Sequence, residues 1–391
     1  MARSMQDCDI LVVGGGIHGV GVAQAAAAAG YRAVLLEQRR LAAGTSSRSS
    51  KLIHGGLRYL ESGQFRLVRE SLRERELLLR LAPGLVHRQP FYIPVYPHMS
   101  RPRWKLTIGL TLYWLLGGME SELRFGSVRR QDWDELDGLT TDKLRAVLRY
   151  VDAQTDDRAL TEAVMRSAES LGVTCICPAV FKGARGDGNG YDVVYMLDGR
   201  EETCRALVLV NAAGPWANEV LSKVIPLPPP MPVELVQGTH LELPGVLSAG
   251  CYYLEVPADR RAVFVMPWKG RTLLGTTEHR YDGDPARVSP LDQEIEYLLK
   301  VYARFFPNRS RDVLDAWAGL RVLPSGGKAF SRSRETQLPT DDPRRPRLIS
   351  IFGGKLTGYR ATAQTVIRRI TPSLPQRQKV ADTAALPLSA E

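Results

Sequence analysis

Cysteine is scarce in this chain. Its 391 residues include five, Cys8, Cys175, Cys177, Cys204 and Cys251, an odd number scattered along the length. Such a set forms no disulfide framework, and Cys175-x-Cys177 lacks the second pair that would complete a zinc site. Free thiols in a reducing compartment are the simpler reading. Long apolar runs are missing too. The longest one away from the N-terminus runs from Leu106 to Leu116, short of the roughly 20 residues a bilayer crossing requires. The segment before Asp9 has no polar spacer and no cleavage site, which argues against a secretory signal. Internal repeats and low-complexity tracts are absent. Hydrophobic residues at 44% and charged residues at 24% exclude a disordered or collagen-like chain.

What is present is basic and long enough for two or three domains. Lys and Arg number 52 against 42 Asp and Glu, a formal net charge of +10. That balance suits an anionic substrate, an acidic membrane surface or nucleic acid. No basic helix with interleaved aromatics supports nucleic-acid binding. Arg101, Arg103 and Lys105 precede the short apolar segment, and Trp104 and Trp114 flank it. This composition fits a helix at a membrane interface, and equally a buried helix with a solvated basic entry.

Residues 9–13, Asp-Ile-Leu-Val-Val, predict a buried parallel strand. The turn Gly14-x-Gly16-x-x-Gly19 follows, then an alanine-rich helix ending at Gly30, then a second strand ending at Glu37. The layout is that of a βαβ mononucleotide-binding unit. Glycines let the backbone approach a pyrophosphate, the helix N-terminus offers unpaired N–H groups, and the acidic residue accepts from a ribose. Two later features favour FAD over a nicotinamide. Asn211-Ala212-Ala213-Gly214 closes a late apolar strand with small residues, and Gly353-Gly354-Lys355-Leu356-Thr357 repeats a strand-to-glycine-turn-to-helix pattern near the chain end. A Lys at that last turn can hold negative charge on a reduced flavin.

Helices are expected at 65–81, 158–171, 291–305 and 359–370, and short alternating strands at 233–243, 262–266 and 272–276 suggest an antiparallel sheet. Residues 90–118, rich in proline and aromatics, look like an excursion from the α/β core, and the proline-rich stretch 227–232 reads as a boundary. The fold class is α/β, a Rossmann-like FAD-binding domain with a second α+β substrate domain built on an antiparallel sheet. The expected division gives residues 1–90, 150–226 and 316–371 to the discontinuous FAD-binding domain, 91–149 and 227–315 to the substrate or cap domain, and 372–391 to a tail.

Beyond the glycine turn, residues 44–61 read Gly-Thr-Ser-Ser-Arg-Ser-Ser-Lys-Leu-Ile-His-Gly-Gly-Leu-Arg-Tyr-Leu-Glu. With the blocks at 152–157, 211–216, 237–240, 318–321 and 352–357, in that order, the chain resembles the FAD-dependent glycerol-3-phosphate dehydrogenase family over about residues 8–370. The members of that family are membrane-associated and pass electrons to quinone. They typically continue into a helical C-terminal domain, which is not expected here, and the chain departs from their pattern at Ser331-Arg332-Ser333-Arg334.

The resemblance implies oxidation of glycerol 3-phosphate to dihydroxyacetone phosphate, with hydride passing from C2 to flavin N5. It assigns FAD binding to Gly14, Gly16, Ile17, His18 and Gly19, to Glu37 and Gln38, and to Thr45, Ser46, Ser47, Ser49, Lys51, Leu52, His54 and Gly55. Val180, Ala212, Ala213, Gly214, Gly354, Lys355, Leu356 and Thr357 complete that set. Arg58, Tyr59 and Arg332 are expected to face the substrate, with Arg321 beside them. His240, which in isolation reads as a structural strand histidine, becomes the candidate base, and Lys355 the stabiliser of reduced flavin. Quinone is the implied acceptor. The stretch from Trp104 through Leu116 is the expected contact with the inner face of the cytoplasmic membrane. An FAD-dependent enzyme of another small hydroxy acid or amine is the alternative.

Overall fold

Ile10, Leu11 and Val12 are wholly shielded from solvent, so the strand Cys8–Val13 is covered on both faces, as its unbroken apolar run requires. The computed structural model, which describes residues 7–97, 99–326 and 335–389, places this strand in the middle of an eight-stranded sheet. Arg200–Asn211 and Leu348–Ser350 lie in parallel on one side, and Ala33–Leu36 and Thr174–Ile176 on the other. The first half of Arg200–Asn211 turns away and pairs antiparallel with Tyr191–Leu197, which continues to Val180–Gly186.

The helix Ile17–Ala28 is alanine- and glycine-rich and buried almost all round. It is sandwiched on one sheet face with Asp157–Ser170 and Tyr359–Ile370. Small side chains permit that closeness: a side chain on Gly21 would begin 2.7 Å from the ring of Tyr359.

The second sheet has ten strands and surrounds Val233–Leu243, which pairs antiparallel with Asp315–Pro324 along its length and with Arg271–Gly275 and His279–Tyr281 on its other edge. The expected antiparallel character holds with one exception, the parallel pairing of Cys251–Glu255 with Val86–Val95. Val86–Val95 in turn pairs with Ala146–Thr155 over ten residues. The proline-rich excursion therefore contains a sheet strand, and the expected boundaries near 90, 150 and 316 fall inside or at the edge of continuous strands of the second sheet.

The tail is not loose. Val380 and Ala381 N–H groups donate to the Ala28 carbonyl at 2.9 and 3.1 Å, and the Leu388 N–H donates to Leu81 at 2.7 Å. Leu388 is buried in the helical face of the first sheet. Among the described residues no helix is long and apolar enough to cross a membrane, and no cluster of His, Cys, Asp and Glu could hold a metal ion.

Candidate active site

The two sheets meet over a cavity of about 370 Å³, within the range of small-molecule and cofactor sites. One end is made by the first glycine turn. Gly14 sits at φ +113, and a side chain there would start 2.6 Å from the carbonyl oxygen of Ala212. The late strand thus ends against the first turn, as two backbone approaches to one ligand require. Gly19 is tighter still, with the position of its absent Cβ 1.8 Å from the Gly14 carbonyl oxygen. The N–H of Ile17 donates to Ser46 Oγ at 2.9 Å, which ties the helix start to the hydroxyl-rich segment. Glu37 is buried and accepts from the N–H groups of Gly15 (2.7 Å) and Arg39 (2.8 Å), one on each oxygen. Each carboxylate oxygen keeps a lone pair for a sugar hydroxyl.

At the opposite end, Val233–Leu243 and Asp315–Pro324 set Val236 opposite Arg321 and His240 opposite Trp317. Gly238 leaves room for the guanidinium, since a side chain there would start 2.8 Å from Arg321 Nη2. Arg321 donates to the Thr277 carbonyl at 3.3 Å and to Thr276 Oγ1 at 3.2 Å, and lies 3.6 Å from Glu278. Lys355 Nζ lies 3.8 Å from the centroid of the Tyr59 ring and 3.3 Å from Ser71 Oγ. A cation held over an aromatic face is oriented by the ring.

His240 is buried and stacked on Trp317, with ring centroids 5.8 Å apart, and its Nε2 is 2.9 Å from Ser50 Oγ. Burial first, then the charges of Arg321 and Lys51, push its pKa well below the ordinary histidine value. His18 packs under the late glycine turn, where a side chain on Gly354 would meet its Nε2 at 2.4 Å, and burial lowers its pKa to about 4. Both imidazoles are therefore neutral at pH 7.

Most of the expected residues face this one cavity. They are Gly14, Gly16, Ile17, His18, Glu37, Gln38, Thr45, Ser46, Ser49, Leu52, His54, Tyr59 and Val180, the run 212–214, His240, Arg321 and the run 354–357. Five others do not line it. Gly19 supports the turn from behind. Ser47 turns its hydroxyl back to the Gly44 carbonyl at 3.4 Å. Lys51 is buried in an ion pair with Asp157 (2.7 Å) and donates to the Ser47 carbonyl (2.7 Å), so its charge holds the segment together instead of meeting a ligand. The Gly55 N–H donates to Tyr113 Oη at 2.8 Å. Arg58 is half-buried on the short helix Leu57–Ser62 that carries Tyr59. Arg332 lies outside the described residues. Sequence reasoning passed over Ser50, Arg48 and Trp216, which line the cavity. In a run of near-identical hydroxyl residues nothing local marks Ser50 out.

The donor set fits FAD. Two glycine turns occupy space a side chain would fill, an acidic residue sits where a ribose would lie, a lysine guards the far end, and His18 Nδ1 is buried beside the second turn without a partner. This fold and site define a dinucleotide-binding oxidoreductase of the flavin class. The family described as FAD dependent oxidoreductase matches residues 9–362. Two curated relatives are each 37% identical: the D-erythritol 1-phosphate dehydrogenase of Brucella abortus (strain 2308), over 95% of this chain and 75% of that protein, and the aerobic glycerol-3-phosphate dehydrogenase of Escherichia coli (strain K12), over 94% and 74%. Among solved structures, the glycerol-3-phosphate dehydrogenase from Bacillus halodurans complexed with FAD superposes with a TM-score of 0.78 at 28% identity, over 99% of this chain and 68% of that one. The chain belongs to the FAD-dependent oxidoreductases, in the group of the glycerol-3-phosphate dehydrogenases, and its cofactor is FAD.

Proposed function

We propose that this chain oxidises the secondary alcohol of a small polyol phosphate, glycerol 3-phosphate first, to the ketone, dihydroxyacetone phosphate, and passes the electrons on to a quinone. The observation that carries this reading is the far end of the cavity, where Arg321 and Lys355 share one pocket with the buried imidazole of His240. Bound FAD supplies the acceptor for the hydride leaving C2. Arg321 attracts the phosphate dianion and stabilises negative charge developing on the alcohol oxygen. His240 takes the hydroxyl proton, a role open to it because it is uncharged at working pH. Lys355 and the N–H groups at 354–357 stabilise negative charge at the cofactor's reactive end.

Anaerobic addition of glycerol 3-phosphate should bleach the flavin band of the purified protein. D-erythritol 1-phosphate, the substrate named for one relative, is the comparison ligand. A coloured protein that no polyol phosphate bleaches would sink the substrate assignment and leave the fold intact. Arg321→Met should keep its FAD and lose about 100- to 1,000-fold in kcat/KM, the scale of one charge-stabilising donor. Steady-state kinetics with flavin content as control decide this.

The surface supports membrane contact. On the helix Arg103–Leu116, Leu106, Leu110 and Tyr113 face the core, whereas Trp104 (66% exposed), Ile108 (54%) and Leu115 (45%) point outward beside Arg103 and Lys105. An apolar stripe with basic neighbours is the pattern of an interfacial helix, and such a helix seated in the inner membrane face would bring the chain within reach of a quinone dissolved in the bilayer. Replacing Trp104 and Ile108 with glutamate should reduce co-sedimentation with anionic vesicles at least tenfold, because each change removes apolar burial and adds repulsion. Bleaching by substrate in vesicle-free solution should be unchanged.

A further inference from the structure

We propose that Ser50 is the hydroxyl through which the substrate's alcohol proton reaches His240. The inference rests on the functional reading above and adds a residue to it. Of the two ring nitrogens of His240, Nδ1 is buried without a hydrogen-bond partner, and Nε2 is bonded to Ser50 Oγ at 2.9 Å. The opposite ring orientation would set a carbon against that hydroxyl, so the bond itself assigns the ring. Trp317 covers one side of the imidazole, and Gly275 closes another, where an absent side chain would start 2.3 Å from Cδ2. A proton can thus enter or leave this imidazole only at Nε2, and Nε2 already faces Ser50.

Ser50 is itself held in place. The N–H of Ser49 donates to Asp157 Oδ2 at 3.0 Å, the N–H of Lys51 donates to Ser49 Oγ at 3.1 Å, and Lys51 Nζ donates to Asp157 Oδ1 at 2.7 Å. Both chain neighbours of Ser50 are therefore anchored to one buried carboxylate, and the Ser50 side chain is left on the cavity side with His240. Asp157 and Lys51 act as positioning residues: neither reaches the cavity, and both fix the group that does.

The step balances. The substrate C–H bond breaks with its electron pair, which leaves as hydride to FAD. The substrate O–H proton moves to Ser50 Oγ while the Ser50 proton moves to His240 Nε2, and the C=O bond forms. Serine ends as it began, and His240 has gained one proton. With the ring proton on Nδ1, Nε2 accepts the Ser50 hydroxyl and can take its proton.

Two measurements test this. In anaerobic stopped-flow reduction by glycerol 3-phosphate, Ser50→Ala should retain FAD and slow flavin reduction about 100-fold, the lower range for loss of a proton-transfer group. Substrate affinity should be unchanged, and Ser50→Thr, which keeps the hydroxyl, should recover most of the rate. Separately, 15N spectra of histidine-labelled, FAD-loaded protein without substrate should show the Nε2 resonance of His240, assigned by its loss in His240→Gln, shifting in Ser50→Ala and staying in Ser50→Thr. Wild-type rates in Ser50→Ala, or equal losses in the Ala and Thr variants, overturn the relay. If a variant loses FAD, the resonance is compared between FAD-free wild-type and FAD-free variant protein, and an unmoved resonance overturns the relay. If wild-type protein is not bleached by any polyol phosphate while the resonance still moves, the substrate reading fails and the Ser50–His240 pair stands.

Discussion

Gly19→Ala should yield a colourless protein. The added carbon would lie 1.8 Å from the Gly14 carbonyl oxygen and 3.0 Å from its carbonyl carbon, both backbone atoms that cannot rotate aside. The first turn must open by more than 1 Å to admit it, because real contacts to such a carbon are not found below about 3 Å. Opening the turn swings the N–H groups at the start of Ile17–Ala28 away from the line along which a pyrophosphate would lie, and those donors are the main attraction for it. We expect FAD content in purified protein to fall at least tenfold, read from the visible flavin spectrum against the protein band. The matched control is Gly63→Ala. Gly63 also has a positive φ, +70, but an added side chain there meets nothing within 4 Å. That change costs about 1 kcal/mol of backbone strain and should leave the protein yellow.

Asp157→Ala should be the most destabilising single change at the site. The aspartate side chain is fully buried, and Lys51 opposite it is nearly so. Removing one partner leaves a buried, uncompensated ammonium, a loss of about 3–5 kcal/mol, large against a total stability of roughly 5–15 kcal/mol. The same carboxylate also accepts from the Ser49 and Arg158 N–H groups, so the hydroxyl-rich segment and the start of Asp157–Ser170 loosen together. Urea unfolding should show the loss. Adding Lys51→Met to Asp157→Ala should recover part of it, since no buried charge then lacks a partner. If the double variant is no more stable than the single, the ion pair is not what holds the segment.

Much of the scaffold could be read from residue order. The helices Phe65–Leu81 and Tyr359–Ile370 and the strand Val233–Leu243 lie where their periodicity places them. Each is bounded by glycine or proline or carries a regular apolar pattern, and both are local signals. Val86–Val95 was hidden because Pro90 and Pro94 interrupt its pattern. Its strand character comes from a partner, Ala146–Thr155, that lies far along the chain. The tail has no periodicity because it packs as an extended strap across the first helix, through backbone donors and the buried Leu388.

The sequence by itself determined the cofactor turn. Only glycine allows the φ of Gly14 and the contact at Gly19, and both demands arise within a few residues of chain, so the spacing carries the message. The tertiary structure alone decided which charges do chemistry. Lys51 and Lys355 look alike as letters. One is drawn inward by a carboxylate 106 residues away, and the other is left above an aromatic ring at the edge of the cavity. Whether a cation is neutralised in the core or presented to a ligand depends on partners brought together by folding, and a buried charge without a partner is too costly for the fold to leave to chance. The same reason applies to Ser50: its neighbours in sequence are serines and a lysine, and only the packing of two sheets sets it against His240.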